Sequence, residues 1–252
     1  MSEADEPIHG RLVSEAQLPA NGTVVDLGCG SGPTLAAFAR RLPGARLVGL
    51  DRSAPDAAAA RTALSGHRGA TAVAVADLRR PLPLRSGCAD AVVSYNVLEC
   101  LPDPLALLAE AARLLRPGGR AVLAHVDFDT IVVAGPEREL DRRICHAFTD
   151  DRQPWMDHAD GRIGRRLPGL VRLSPLVPER VRPWVTNATE LTGAAARRVE
   201  GIRHALTGAA ARGSTAVTSA EVHAWHSQVL EAADSGRVFF AETAMVVTAV
   251  RA

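Results

Sequence analysis

The chain of 252 residues contains no lysine; all 29 basic side chains are arginine. That absence excludes a Schiff-base lysine, a phosphate-loop lysine and a kinase strand lysine. Aromatic residues are scarce, at 4%, and Tyr95 is the single tyrosine. No apolar run reaches the roughly 18 residues of a membrane span. The opening Met1-Ser2-Glu3-Ala4-Asp5-Glu6 is acidic, unlike a signal peptide. A formal net charge of +1 leaves no global field that would favour nucleic acid. The four cysteines, Cys29, Cys88, Cys100 and Cys145, form no C-x-x-C pair. A zinc site or thioredoxin-like chemistry is therefore not expected, no metal is expected, and a reduced, cytoplasmic protein is the simplest reading.

What is present is organised around Val24-Val25-Asp26-Leu27-Gly28-Cys29-Gly30-Ser31-Gly32-Pro33. An apolar run fits a buried parallel strand. Three glycines at alternate positions then break it, and a helical pattern follows from Thr34. Pro33 suits the first helical position, where a missing N–H costs nothing. Glycines in such a strand–turn–helix let the backbone turn sharply and let a ligand lie against it. The spacing is G-x-G-x-G, not the G-x-G-x-x-G of nicotinamide dinucleotide folds. Cys29, near the helix start, reads first as a small side chain in a crowded turn, with a thiol of lowered pKa as the alternative.

Apolar segments then recur with helical segments between them, the pattern of a doubly wound α/β sheet. A hydrophobic content of 47% and a charged content of 23% suit one large domain, or a domain with a cap. Strands are expected at Arg46–Asp51, Thr71–Ala76, Ala91–Ser94, Ala121–Val126, Val181–Thr186 and Val238–Val250. Pro183 marks the sixth as an edge or bulged strand. Helices are expected at 11–18, 34–40, 57–64, 104–115, 136–148 and 193–211, with another after the capping box Thr218-x-x-Glu221. Residues 1–10 read as flexible. By the rule that ligands sit at the carboxyl ends of parallel strands, Asp51, His125, Asp127 and Asp129 approach the crevice. The last three are the best general-base candidates, with orientation of the following loop as the alternative. His223 and His226 read as helix-surface residues.

Together, V-V-D-L-G-C-G-S-G, the loop P-L-P-L-R-S-G-C-A-D and L-L-R-P-G-G-R resemble the motifs of the Rossmann-like (class I) S-adenosylmethionine (SAM)-dependent methyltransferases. The likeness is nearest to the ubiquinone/menaquinone-biosynthesis type and its bacterial small-molecule relatives. It is strong over residues 20–130 and looser over 175–252. It implies a seven-stranded, mostly parallel sheet whose last strand runs antiparallel between strands five and six. The expected organisation is a short N-terminal segment, 1–19, and a methyltransferase domain, 20–252, that includes a helical insert at 131–180.

The resemblance also implies site roles. Gly28, Cys29, Gly30 and Gly32 seat the amino-acid end of SAM, and Asp26 orients the loop or the cofactor's ammonium. Asp51 holds the ribose hydroxyls, and Arg52 flanks the cofactor. Asp77 and Leu78 hold adenine. Asn96 positions the cofactor, and Tyr95 either orients an acceptor or packs. In the insert, Trp155, Met156 and Arg166 are candidates to hold a substrate, with a packed surface subdomain as the alternative. The expected reaction is methyl transfer to a small molecule, leaving S-adenosylhomocysteine. An RNA or protein methyltransferase and a non-catalytic SAM-binding protein are the rivals. The short N-terminal cover is consistent with a homodimer.

Overall fold

The computed structural model describes residues 7–251. The chain opens with α1 (Ile8–Ala16), β1 (Thr23–Leu27), α2 (Pro33–Arg41), β2 (Arg46–Asp51), α3 (Ala54–Ala63) and β3 (Thr71–Val75). It continues with β4 (Ala89–Tyr95), a 3-10 turn at Leu98–Cys100, α4 (Pro104–Leu114) and β5 (Leu115–Ala134). The remainder is α5 (Arg138–Asp150), α6 (Ile163–Arg172), β6 (Leu176–Ala188), α7 (Gly193–Ala211), α8 (Ser219–Asp234) and β7 (Phe239–Arg251). One sheet of seven strands runs in the order β3-β2-β1-β4-β5-β7-β6. β7 is antiparallel to both neighbours, and the pairings among β1 to β5 are parallel.

Two layers of helix cover the central strands. On one face, Leu12 of α1 and Leu35 and Phe38 of α2 pack with Val24 and Val93. On the other, Leu107 and Leu108 of α4 and Leu167 and Val171 of α6 pack with Val25, Val92 and Leu123. Each such fully buried side chain contributes on the order of 1.5–3 kcal/mol. α1 begins at Ile8, so residues 8–10, expected to be flexible, are helical; residues 1–6 of that expectation lie outside the described residues.

The second half of the sheet departs more from the expectation. β5 does not stop near Val126. After an irregularity between Asp127 and Val132 it pairs again with the start of β7, Val132 opposite Ala241 and Ala134 opposite Phe239. This ribbon carries a third core, in which α5, α7 and α8 close around the fully buried Trp225. The Trp225 Nε1–H donates to Asp141 at 2.9 Å, which satisfies its polar end. The helical insert therefore spans 135–175, between the ends of β5 and β6, narrower than the expected 131–180. β6 pairs only with β7 and forms the sheet edge, where Pro178 and Pro183 cost no ladder hydrogen bond on the open side.

Candidate active site

At the carboxyl ends of β1 to β4 lies a cleft of about 780 Å³. Its floor is the glycine turn. Gly28 has φ +78° and Gly32 φ +89°, values that L side chains rarely adopt. A Cβ on Gly28 would come within 2.2 Å of Val97 Cγ2, whereas one on Gly30 would meet nothing within 4 Å and would project into open space. The turn is tied to β2 by hydrogen bonds. The Gly28 and Cys29 N–H groups donate to the Leu50 carbonyl at 2.8 and 3.1 Å. Asp51 accepts from the Gly30 N–H and the Ser53 N–H, each at 2.8 Å, one on each oxygen. Each oxygen keeps further acceptor capacity toward the cleft.

Asp26 is buried, and its Oδ2 has no hydrogen-bond partner among the described residues. Burial, reinforced by the nearby Asp51, pushes its carboxyl up to about 8. A buried carboxyl with a free oxygen beneath a glycine turn suits a cationic donor, and the ammonium of SAM is one. The Cys29 thiol is also buried and is pushed up to about 12, so it packs in the turn and is not a nucleophile. At the far end, Leu78 is buried and Asp77 is hydrogen-bonded by Arg79, which holds its carboxyl well below the usual range. Arg52 and Arg79 both reach Asp157 of the insert, at 2.8 and 3.1 Å, and so tie the cap to the cleft rim.

The other end of the cleft is walled by His9, Tyr95 and Asn96. Burial pushes the Tyr95 hydroxyl up to about 12. Its ring meets His9 edge-on, 5.5 Å between centroids. His9 is anchored through Nδ1 to Thr34 Oγ1 at 2.9 Å. Asn96 has φ +55°, and its Oδ1 accepts from the Val126 N–H at 2.9 Å, which fixes the end of β4 against β5. Behind this wall is a second cleft of about 920 Å³, lined also by Trp184 of β6, Arg197 and Arg198 of α7, and Glu242 of β7. A smaller cavity of about 250 Å³ lies under the insert, against Glu99, Phe128, Phe148, Met156 and Arg198. Burial pushes the Glu99 carboxyl up to about 8.

The three expected base candidates line none of these cavities. His125 is fully buried, its Nδ1 bonded to the Val126 carbonyl at 2.7 Å, and burial pulls its imidazole down to about 4. Asp127 is buried and clamped by Arg165, which also reaches Asp129 at 3.3 Å. The carboxyl-end rule misplaced them because β5 runs on past them under the insert. Trp155 lines the cofactor-side cleft and the small cavity, Met156 only the small cavity, and Arg166 pairs with Asp160 and lines none of the three. His9, Arg198 and Glu242 were not foreseen. Glu242 did carry a signal: it stands in the buried register of β7, between Phe240 and Ala244, where an apolar residue is expected.

Fold and cleft together define a Rossmann-like methyltransferase architecture, for which SAM is the cofactor. The profile of the methyltransferase domain family matches residues 25–123. An uncharacterized methyltransferase of Mycobacteroides abscessus is 33% identical over 204 residues, 76% of this chain and 73% of that protein. The chain belongs to the methyltransferase domain family. A trans-aconitate 2-methyltransferase of Azoarcus sp. is 41% identical over 108 residues, 43% of this chain and 40% of that protein. The chain thus spans about two fifths of the length of several curated relatives it matches. Geranyl diphosphate C-methyltransferase from Streptomyces coelicolor, solved with Mg2+, geranyl diphosphate and S-adenosyl-L-homocysteine, has the same fold, with a TM-score of 0.56. It is 17% identical, with 97% of this chain and 80% of that one covered. No helix among the described residues is long and apolar enough to cross a membrane.

Proposed function

We propose that the protein transfers a methyl group from SAM to a small-molecule acceptor, a bacterial metabolite or natural product, with S-adenosylhomocysteine as the other product. One observation carries this reading: the cofactor-side cleft and the second large cleft share a wall made of His9, Tyr95 and Asn96. Two clefts that adjoin at the same three residues place donor and acceptor side by side, as in-line transfer requires. SAM brings an electrophilic methyl, so the protein's task is to align, to exclude water and to hold charge.

In this reading, Gly28, Cys29, Gly30 and Gly32 seat the amino-acid end, and Asp26 faces the ammonium. Asp51 takes the ribose hydroxyls on its remaining lone pairs, with Arg52 alongside. Asp77 and Leu78 hold adenine. Tyr95 stays protonated at neutral pH and so acts as a hydrogen-bond donor toward the acceptor, not as a base. The size of the second cleft suits a metabolite, and the Azoarcus relative is named for one. The near-neutral formal charge and four free thiols fit a cytoplasmic enzyme without a nucleic-acid substrate.

The test is transfer of labelled methyl from SAM into an extract of the source organism, separated by size. Label in the small-molecule fraction is expected, and label in RNA or protein overturns the substrate class. Tight SAM binding with no label in any fraction overturns the activity.

A further inference from the structure

We propose that the acceptor is a small carboxylic acid, held by Arg197 in the second large cleft and methylated on its carboxylate oxygen. This rests on the reading of that cleft as the acceptor chamber. The observation behind it is a reversal of charge across the His9–Tyr95–Asn96 wall. The cofactor side presents four carboxyl groups, Asp26, Asp51, Asp56 and Asp77, against two guanidiniums. Among the described residues, the acceptor side presents Arg197 and Arg198 against the single acid Glu242. Glu242 is already paired with Arg198, at 2.6 Å, and that guanidinium is held over the Phe128 ring, 4.8 Å from its centroid. Arg197 makes no ion pair or hydrogen bond among the described residues.

The charge of Arg197 reaches the dividing wall. The His9 imidazole is held below its ordinary value by burial and then by Arg197 and Arg40. An anion bound to Arg197 therefore lies next to the residues at which the two clefts meet. A guanidinium fork matches a carboxylate with two parallel N–H···O bonds. Trp184 offers a flat apolar wall for the carbon skeleton.

The chemistry agrees with the position of the three expected base candidates, none of which lines either cleft. His125 is bonded to backbone and buried, and Asp127 and Asp129 are held by Arg165. An acceptor that is already an anion at neutral pH needs no proton removed. Its carboxylate oxygen forms a bond to the methyl carbon while the bond from that carbon to sulfur breaks, and the electron pair stays on sulfur. A sulfonium and a carboxylate become a neutral thioether and a neutral ester, and no proton moves. Bringing opposite charges together and cancelling them is favoured where water is excluded.

The test uses the intact protein and methyl-labelled SAM. The acceptors are the small-molecule fraction of the source extract, plus succinate, tricarballylate and benzoate beside the matched diol, triol and benzyl alcohol. Products are treated with mild alkali, which releases methanol from methyl esters but not from ethers, amines or C-methyl products. Alkali-released label from the extract fraction and from acids only is expected. Arg197→Gln should then raise the acid's KM at least 30-fold with SAM affinity unchanged by calorimetry, and Arg197→Lys should recover part of it. Alkali-stable label in the small-molecule fraction, or an ester whose KM is indifferent to Arg197→Gln, overturns the carboxylate inference and leaves small-molecule methylation standing. Label only in RNA or protein, or none with SAM bound, overturns both.

Discussion

The two large clefts are built in opposite ways. Apart from His9 and Trp155, the cofactor-side cleft is lined by one stretch of chain, residues 26–101, folded through successive strand–helix units. The acceptor-side cleft gathers α1, the end of β4, β6, α7 and β7, elements as much as the whole domain apart in sequence. The first presents acids on rigid strand ends and a glycine turn, the second an ion pair between α7 and β7 and, beside it, Arg197, which has no partner among the described residues. On the proposed reading, a shared donor is met by local geometry, while acceptor choice rests on long-range register, where sequence can change without disturbing the turn.

Substitutions that respect or violate this division sharpen it. The largest effect is expected from Gly28→Val. A side chain at φ +78° that also meets Val97 should cost about 3 kcal/mol in stability and abolish measurable SAM binding, as seen by thermal melting and calorimetry. On the other side, Arg198→Ala leaves the buried Glu242 without its partner. A loss of about 3 kcal/mol in denaturant unfolding is expected, while SAM affinity per folded molecule stays within twofold. Coupled loss of both would break the comparison. Asp51→Ala should weaken SAM about 30-fold, roughly 2 kcal/mol, because the ribose contacts and the tie to Gly30 go together; unchanged affinity would remove Asp51 from that role.

A pH experiment separates the clefts further. Asp26 titrates at about 8 in the folded, cofactor-free protein and near 4 when exposed. A carboxyl raised by folding opposes stability as pH climbs, so Asp26 lowers the stability of the free protein progressively from about pH 4 to pH 8. An ammonium placed against it favours the ionised form. SAM binding at pH 7 should therefore release close to one proton, visible as a dependence of binding heat on the buffer's ionisation enthalpy, and Asp26→Asn should remove that dependence. Glu99 shifts in the same direction but lies on the small cavity, so Glu99→Gln should leave the proton release intact. The smallest effect is expected from Arg166→Ala, which breaks only an exposed pair with Asp160 and should change stability by less than about 0.5 kcal/mol and SAM affinity not at all.

The contrast also explains what was legible in the sequence. The glycine turn and Asp51 follow from local patterns, period, punctuation and the acid at a strand end, while the strand order rests on the family resemblance. β2 at Arg46–Asp51 and α7 at Gly193–Ala211 match their expected bounds, and Thr218 and Glu221 form the expected capping box. His125, Asp127 and Asp129 were misjudged for one reason. The end of β5 is set by its pairing with β7, more than a hundred residues on, and no local signal shows that the strand continues to Ala134. Arg198 and Glu242 meet only because β7 returns antiparallel beside β5 and beneath α7. Arg166 looked available because nothing nearby in the motif showed that it would fold back onto Asp160.

The position of α1 has a practical corollary. Pro7 and Ile8 line the second large cleft, so anything joined ahead of them starts at its wall. Arg251 lies at the opposite rim of the sheet, bonded to the Leu115 carbonyl at the base of β5. An affinity handle, a surface tether or a fused reporter belongs at that rear end, where it leaves the second cleft clear.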